Sequence, residues 1–462
     1  MELETTTDFV INELSLVTKG GKIDLSNLYE ELNIFDSIYK DHLSGNIVIQ
    51  DATGLNENLV LNGTEILLVN IGKTEEEILF KKAFRVYQET NRELINENAE
   101  SYVLHFVSEE LIFSEQLGVS QFYSGTYTEI ALSILIDYLE VPNTLLTKGF
   151  VDKSTGLKNV VIPRLSPLDA VKWCSSRAVD DNKSPSFLFF HNLYGYNFAT
   201  LSTLLTSEPM FRVNFQRKNL ENNIGKDMFG AKDYGIDSQF NLLKSIKNGV
   251  YAGSFTGFDP LTRIISSKNI SYADHWQTVK HATDTPDLAL IRNRNNDDST
   301  VSFGARTSMY YMTTPLKFSE YVKSHDPSIF TTLENTEDYI FQRRAIFYTL
   351  AANKMYLALP GRFDTCSGLN LFIEAFKKSE KIDGDPNYDF SLYGKKLITS
   401  CRHIIKNNTH DMVLELSTTS KSDEFPIPIS SEYQKPKEVL EYDESWLRWV
   451  EWIYLVDGCR WR

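Results

Sequence analysis

The sequence predicts an α+β protein in which β structure predominates. Three observations carry that expectation. Short runs rich in Val, Ile, Leu, Phe and Tyr recur through residues 1–112, separated by breaks such as Gly20-Gly21 and Asn56 to Asn62. Helical spacing of apolar residues appears in a few blocks, after Thr126, Ser166 and Asn335. Residues 389–416, DFSLYGKKLITSCRHIIKNNTHDMVLEL, read as two strands around one polar turn, Lys406 to His410.

In chain order, Phe9–Val17, Gly45–Asp51, Glu65–Ile71, Ile78–Tyr87 and Ser101–Ser108 are the first strand candidates, with Asn91 to Glu100 as a turn. Their even spacing suggests a barrel or a curled sheet. A mixed α/β block covers 113–205. Thr126-Tyr127-Thr128-Glu129 has capping-box spacing, and Ile130, Ile134, Leu135 and Tyr138 follow at helical intervals until Pro142. Ser166-Pro167-Leu168-Asp169 opens another helix, with Ser as N-cap and Pro in the first turn. Phe187–Phe190 and Phe198–Leu205 read as strands around Tyr194 to Asn197.

A second β region runs from 206 to 418. It holds Phe211–Phe215, Val250–Gly253 and Arg263–Ile265, then the polar loop 292–300. A helical insertion spans about 283–354, its clearest helix capped at Asn335 to Asp338 and carrying Ile340, Phe347, Leu350 and Ala351 on its apolar side. Strands resume at Met355–Leu359 and Leu369–Phe376. Residues 419–462 differ: Pro426, Pro428 and Pro436 lie in a charged linker, and Trp446, Trp449, Trp452 and Ile453 crowd the segment that follows.

The chain has 462 residues, room for about three domains at about 150 residues each. Its net charge is −15, and no Lys/Arg run forms a basic face, so specific nucleic-acid binding is not expected. Cys174, Cys366, Cys401 and Cys459 lie far apart with no CxxC pair, which argues against a zinc site or a disulfide scaffold. Met1 to Glu4 is acidic without a signal-peptide core, and no window reaches the roughly 18 apolar residues of a membrane span.

The search for chemistry finds no P-loop, HExxH, GxSxG or convincing GxGxxG. Adjacent acids, Glu109-Glu110, Asp180-Asp181 and Asp297-Asp298, read as turns and helix ends. His403 and His410 flank the polar turn and could face each other across strands, but no carboxylate or cysteine pattern accompanies them as metal ligands would. No catalytic, metal-binding or cofactor-binding residue is assigned, and no cofactor is expected. Gly45 and Gly394 each open a strand after a turn, where φ > 0 would call for glycine. An Asp259–Arg263 pair could pin a turn or contact a neighbouring subunit. The Trp-rich tail is apolar nearly all round and must be buried, on its own domain or on a partner.

Two segments together resemble a known family. The order Gly394, Lys395, Leu397-Ile398, His403, Ile404-Ile405, turn, Leu414-Glu415-Leu416 resembles the closing strands of the central hub protein of contractile phage tails. Phe35-Asp36-Ser37-Ile38-Tyr39, followed by Leu43 to Asp51, resembles the N-terminal strand pair of that family. The chain is similar to the baseplate hub proteins of T-even-type bacteriophages, relatives of type VI secretion spike proteins. The resemblance covers roughly residues 8–418 and leaves the tail outside it.

The resemblance implies a structural, non-enzymatic virion protein assembled in the host cytoplasm. It implies a ring-shaped homotrimer in which each subunit brings two barrel-like tube domains. Here those would be 1–112 and 206–418, with the α/β domain between them. Such a ring matches a threefold spike below to a sixfold tail tube above and leaves a conduit for DNA. Implied partners are the central spike, tube or tube-initiator proteins, and the tape-measure protein. The position of His403 looks structural in that family. Two other classes compete: a tail-associated cell-wall hydrolase, which needs a carboxylate pair or a metal in a cleft, and a receptor-binding tail protein, which should show repeats or a stalk.

Overall fold

The protein is seen in a computed structural model that describes residues 9–58, 61–74, 77–96, 99–141, 149–215, 230–238, 241–258, 263, 265–271, 279–282, 308–313, 339–375, 388–389, 391–406 and 409–420. The expected caps at 335–338, the loop 292–300 and the whole of 421–462 lie outside these residues.

Strands dominate. The first part supplies β1 (Val10–Thr18), β2 (Gly21–Asp24), β3 (Tyr29–Ser37), β4 (Ser44–Asp51), a single turn α1 (Leu55–Asn58), β5 (Ile66–Gly72), β6 (Ile78–Asn96) and β7 (Ala99–Ser108). Alternation decides which face is buried. Ile47 and Ile49 of β4, Leu67, Val69 and Ile71 of β5, and Tyr102, Leu104 and Phe106 of β7 all point into one core. A one-residue slip in any of these strands would turn its apolar set to solvent. Residues 91–96, expected as a turn, instead continue β6. It pairs with β7 through three register shifts, and Arg92 bonds Glu100 across the ladder at 2.8 Å.

The middle block contributes α2 (Glu109–Gln116), β8 (Phe122–Gly125), α3 (Tyr127–Leu139), β9 (Lys158–Val161), α4 (Pro167–Arg177), β10 (Phe187–Asn192), β11 (Gly195–Thr200) and α5 (Leu201–Thr206). The capping box at Thr126 is formed: Glu129 N donates to Thr126 Oγ1, and Thr126 N donates to the Glu129 carboxylate at 2.8 Å. Pro167 opens α4, but Ser166 makes no side-chain cap. The second strand expected here stops early. Thr203 N donates to Thr200 Oγ1, so residues 201–206 turn into a short helix.

The last part holds β12 (Pro209–Phe215), β13 (Asp233–Ser238), α6 (Leu242–Lys247), β14 (Ala252–Phe258), β15 (Ile265–Ser271), β16 (Ser308–Thr313), α7 (Ile340–Ala352), β17 (Lys354–Pro360), β18 (Asn370–Ala375), β19 (Gly394–Lys406) and β20 (Thr409–Ser417). No helix among the described residues is long and apolar enough to cross a membrane.

One sheet runs β13-β17-β20-β19-β3-β4-β7-β6-β5-β1-β2, so strands from both ends of the chain share it. Among the described residues the path is open, with β13 and β2 at its ends and no barrel closure. Its pairs are antiparallel apart from β12 on β18. The sheet branches at Thr399. There β19 changes register: Gly394–Leu397 pair with β18, and Ser400–Lys406 pair with β3. The Thr399 carbonyl leaves the ladder and accepts from Ile38 N at 3.0 Å and Ser37 Oγ at 3.1 Å. Separate cores lie behind the two arms, one around Phe84, Phe106 and Ile47, the other around Leu357, Ile373 and Leu414.

Candidate functional site

The segments that carry the family resemblance, 35–51 and 389–416, are far apart in sequence and adjacent in space. β3 lies against β19 with Ile34 opposite His403, Phe35 opposite Arg402 and Asp36 opposite Cys401. Their hairpins therefore form a four-stranded block, β20-β19-β3-β4, at the centre of the sheet.

The inner side of this block holds buried polar groups. Cys401 Sγ lies 3.2 Å from His403 Nε2, and His403 Nδ1 lies 3.1 Å from His410 Nε2. Phe363 stacks on His410 with ring centroids 4.1 Å apart. Both imidazoles are buried. Burial pushes His403 down to about 4, and burial together with His403 holds His410 well below its ordinary value. Both rings are therefore neutral at pH 7. Gly361 makes room for them, since a Cβ there would sit 2.2 Å from the His410 ring.

Asp36 is buried beside this row and accepts from Ser367 N at 3.3 Å. Burial pushes its carboxyl up to about 7 against the pull of backbone N–H groups of Ser367, Leu193 and Cys401. The Cys366 and Cys401 thiols are held well above their ordinary value by burial, then by Asp36. Among the described residues no group of three or more His, Cys, Asp and Glu is arranged to hold a metal ion. Neutral imidazoles and protonated thiols locked in hydrogen bonds are groups suited to specifying a packing arrangement.

The outer side is a polar ladder across the same strands. Arg402 donates to Asn33 Oδ1 at 3.0 Å and to Glu31 Oε1 at 3.2 Å, while Asn33 donates to Asn46 at 2.8 Å. Lys406 reaches Glu30 at 3.2 Å. Where β3 meets β19, a cleft of about 290 Å³ is lined by Phe35, Lys40, Tyr356, Arg402 and Glu415.

The residues singled out in the sequence fall in different places. Gly45 sits in β4 with extended backbone. What excludes a side chain is space: a Cβ would lie 2.3 Å from Asn33 O and 2.3 Å from the Phe106 ring. Gly394 opens β19 with φ of 114°. His403 lies in the buried row. Arg263 is exposed with φ of 60°, and its expected partner Asp259 lies outside the described residues. Trp446, Trp449, Trp452 and Ile453 also lie outside them. Sequence reasoning did not single out Asp36, Cys401 and Phe363, because their importance comes from strands that meet only in the folded chain.

No protein-family model matches the chain, and no curated protein matches it. Among solved structures it is similar to the tail protein from Neisseria meningitidis MC58, with TM-score 0.46 and 10% identity over 89% of this chain and 96% of that one. It is also similar to the 43 kDa tail protein of prophage MuSo2 from Shewanella oneidensis, with TM-score 0.47 and 10% identity over 87% and 97%. A third is the E. coli c3393 protein, a component of the type VI secretion system, with TM-score 0.38 and 7% identity over 87% and 77%. The chain's structural neighbours are thus tail and secretion-system proteins.

Proposed function

We propose that this chain is the hub subunit of a contractile-tail baseplate. Three copies form a ring that adapts a threefold spike to a sixfold tube and leaves a conduit for DNA. The two arms of the sheet, built from 1–112 and 206–418, serve as the tube domains of each subunit. The observation that carries the reading is the β3–β19 junction. It brings the two family-like segments into one block with a shared register, as parts of one architectural unit require.

The open ends of the sheet support an assembled state. Among the described residues β13 and β2 are the terminal strands of the sheet, and terminal strands of this kind are normally covered by a neighbour. A net charge of −15 favours passage of DNA over its retention. The spike, the tube or tube-initiator protein and the tape-measure protein are the proposed partners, within the virion tail. Electron microscopy of the purified protein tests the reading. A threefold ring with a central hole is expected, and light scattering should give three times the chain mass. A monomer stable at micromolar concentration overturns it.

A further inference from the structure

β6 runs for 19 residues, and only its first half has a strand on both sides. β5 accompanies it from Ile78 to Arg85, and α1 reaches it at Glu89, whose carboxylate accepts from Asn56 Nδ2 at 2.7 Å. Farther on, β7 continues beside it to Ala99, and among the described residues no strand lies on the other side. Residues 91–96 are therefore a sheet edge. Such edges are normally guarded by charge and by bulges, and both devices are present: Glu93 is exposed, and the register with β7 shifts three times. The tip departs from that rule. Leu94 is 75% exposed and the adjoining Ile95 is 51% exposed. One exposed apolar side chain is ordinary; two in succession at an edge suit a surface that another surface covers.

A surface of matching chemistry lies at the opposite end of the sheet. β13 is terminal there, and Ser238 Oγ at its end donates to the Ala352 carbonyl of α7 at 2.8 Å. α6 begins a few residues later, capped by Asn241, whose side chain accepts from Lys244 N at 3.0 Å. Leu243 of this helix is 71% exposed, with Lys244 and Lys247 exposed near it and no acid on the helix. Asp233 and Asp237 lie on β13, so the favourable charge for a glutamate is confined to α6. Seven strand spacings of roughly 4.8 Å each separate β6 from β13 along a path that is open among the described residues. The tip therefore meets α6 of another copy and not its own.

We infer that the 91–96 edge of one copy docks on α6 of a second copy. Leu94 and Ile95 pack on Leu243, and Glu93 pairs with Lys244 or Lys247. Charge favours this landing place. A chain of net charge −15 repels its own copies over most of its surface, so a glutamate-bearing tip needs a spot that supplies cations, as α6 does. The contact joins unlike surfaces, and each copy carries one of each, so repeating it head to tail builds a ring where the rotation closes. The inference rests on the ring reading proposed above and adds to it the residues that adjoin.

A photo-crosslinking amino acid at position 94 of the full chain tests the contact. Assembling light- and heavy-isotope copies together tells crosslinks between copies from those within one. Crosslinks from position 94 to residues 242–248 of another copy are expected. Leu94→Asp should leave the circular dichroism spectrum unchanged, because the side chain is exposed in the subunit. It should weaken assembly at least about tenfold in sedimentation, the ratio for one buried leucine. Leu157→Asp, at a site 62% exposed in the middle block, should assemble as the parent does. Glu93→Lys should weaken assembly, and adding Lys244→Glu should recover part of that loss. A trimer in which position 94 crosslinks elsewhere, or in which Leu94→Asp assembles as the parent does, overturns the inference and leaves the ring reading standing. A parent chain that stays monomeric overturns both.

Discussion

His403 Nδ1 lies 3.1 Å from His410 Nε2, two residues from the adjoining strands β19 and β20 that do not stand opposite each other. The register pairs His403 with Met412 and His410 with Ile405, so the rings meet on the diagonal. The contact closes a buried row, Cys401–His403–His410, beside the junction with β3.

The row makes stability depend on pH. The folded value of His403 is depressed to about 4 from an ordinary 6.5, so the unfolded chain takes up a proton first as pH falls. Its contribution is present above about 6.5 and is lost between there and 4, amounting to about 3 kcal/mol. Denaturant titrations of a His403→Leu variant should show a shallower loss of stability over that window than the parent protein.

Asp36 acts in the opposite direction. Its carboxyl is raised to about 7 from 3.8, so the folded state holds the proton longer. That contribution is complete below 3.8 and is lost as pH rises through 7, about 4 kcal/mol in all. The two dependences offset each other across mildly acidic pH. Asp36→Asn should therefore steepen the acid loss of stability, while Asp36→Asn combined with His403→Leu should flatten it. Equilibrium unfolding measured from pH 4 to 8 reads both.

Gly45 and Gly394 should fail for different reasons when replaced by Val. At Gly45 the added side chain collides with Asn33 O and Phe106, and a loss of roughly 3 kcal/mol is expected from overpacking. At Gly394 the cost is conformational, about 1–2 kcal/mol for a β-branched residue at φ of 114°. Phe106→Ala is itself costly in this core, but its loss and that of Gly45→Val should be less than additive, whereas its loss and that of Gly394→Val should add. Melting temperatures of the variants test this.

Arg343 ties α7 to the middle block. Its Nη1 donates to the carbonyls of Phe187 at 2.7 Å, Pro185 at 3.1 Å and Ser175 at 3.2 Å, and burial pushes its guanidinium down to about 10. Removing the donor orphans buried carbonyls, so Arg343→Met should destabilise the protein by roughly 2–4 kcal/mol. Hydrogen exchange should quicken in α4 and β10 before it does in β4 or β7.

The tail beyond Lys437 should be needed for assembly and not for folding. A chain truncated there is expected to melt as the full chain does, to be more soluble, and to fail to join its tail partner. A lowered melting temperature would place the segment on its own domain. Normal assembly of the truncated chain would exclude both roles.

Much of the local structure was legible because it is written in local chemistry. The capping box at Thr126 needs only residues three apart, and the β19–β20 hairpin needs only alternation around a polar turn. Asn91 to Glu100 has turn composition, which predicts a shorter hairpin than the β6–β7 pair that forms. Only pairing with β7, through three bulges, keeps it extended. Residues 201–206 have strand composition, and the Thr200 cap turns them into helix. The sequence by itself determined the predominance of β structure and the acidic character. Tertiary structure decided that β3 lies against β19, that Thr399 is where the sheet divides, and that Lys82 meets His191 across 109 positions of sequence. Those relations depend on which strand edges find each other. Alternation specifies which face of a strand is buried, but it carries no information about the partner beside it.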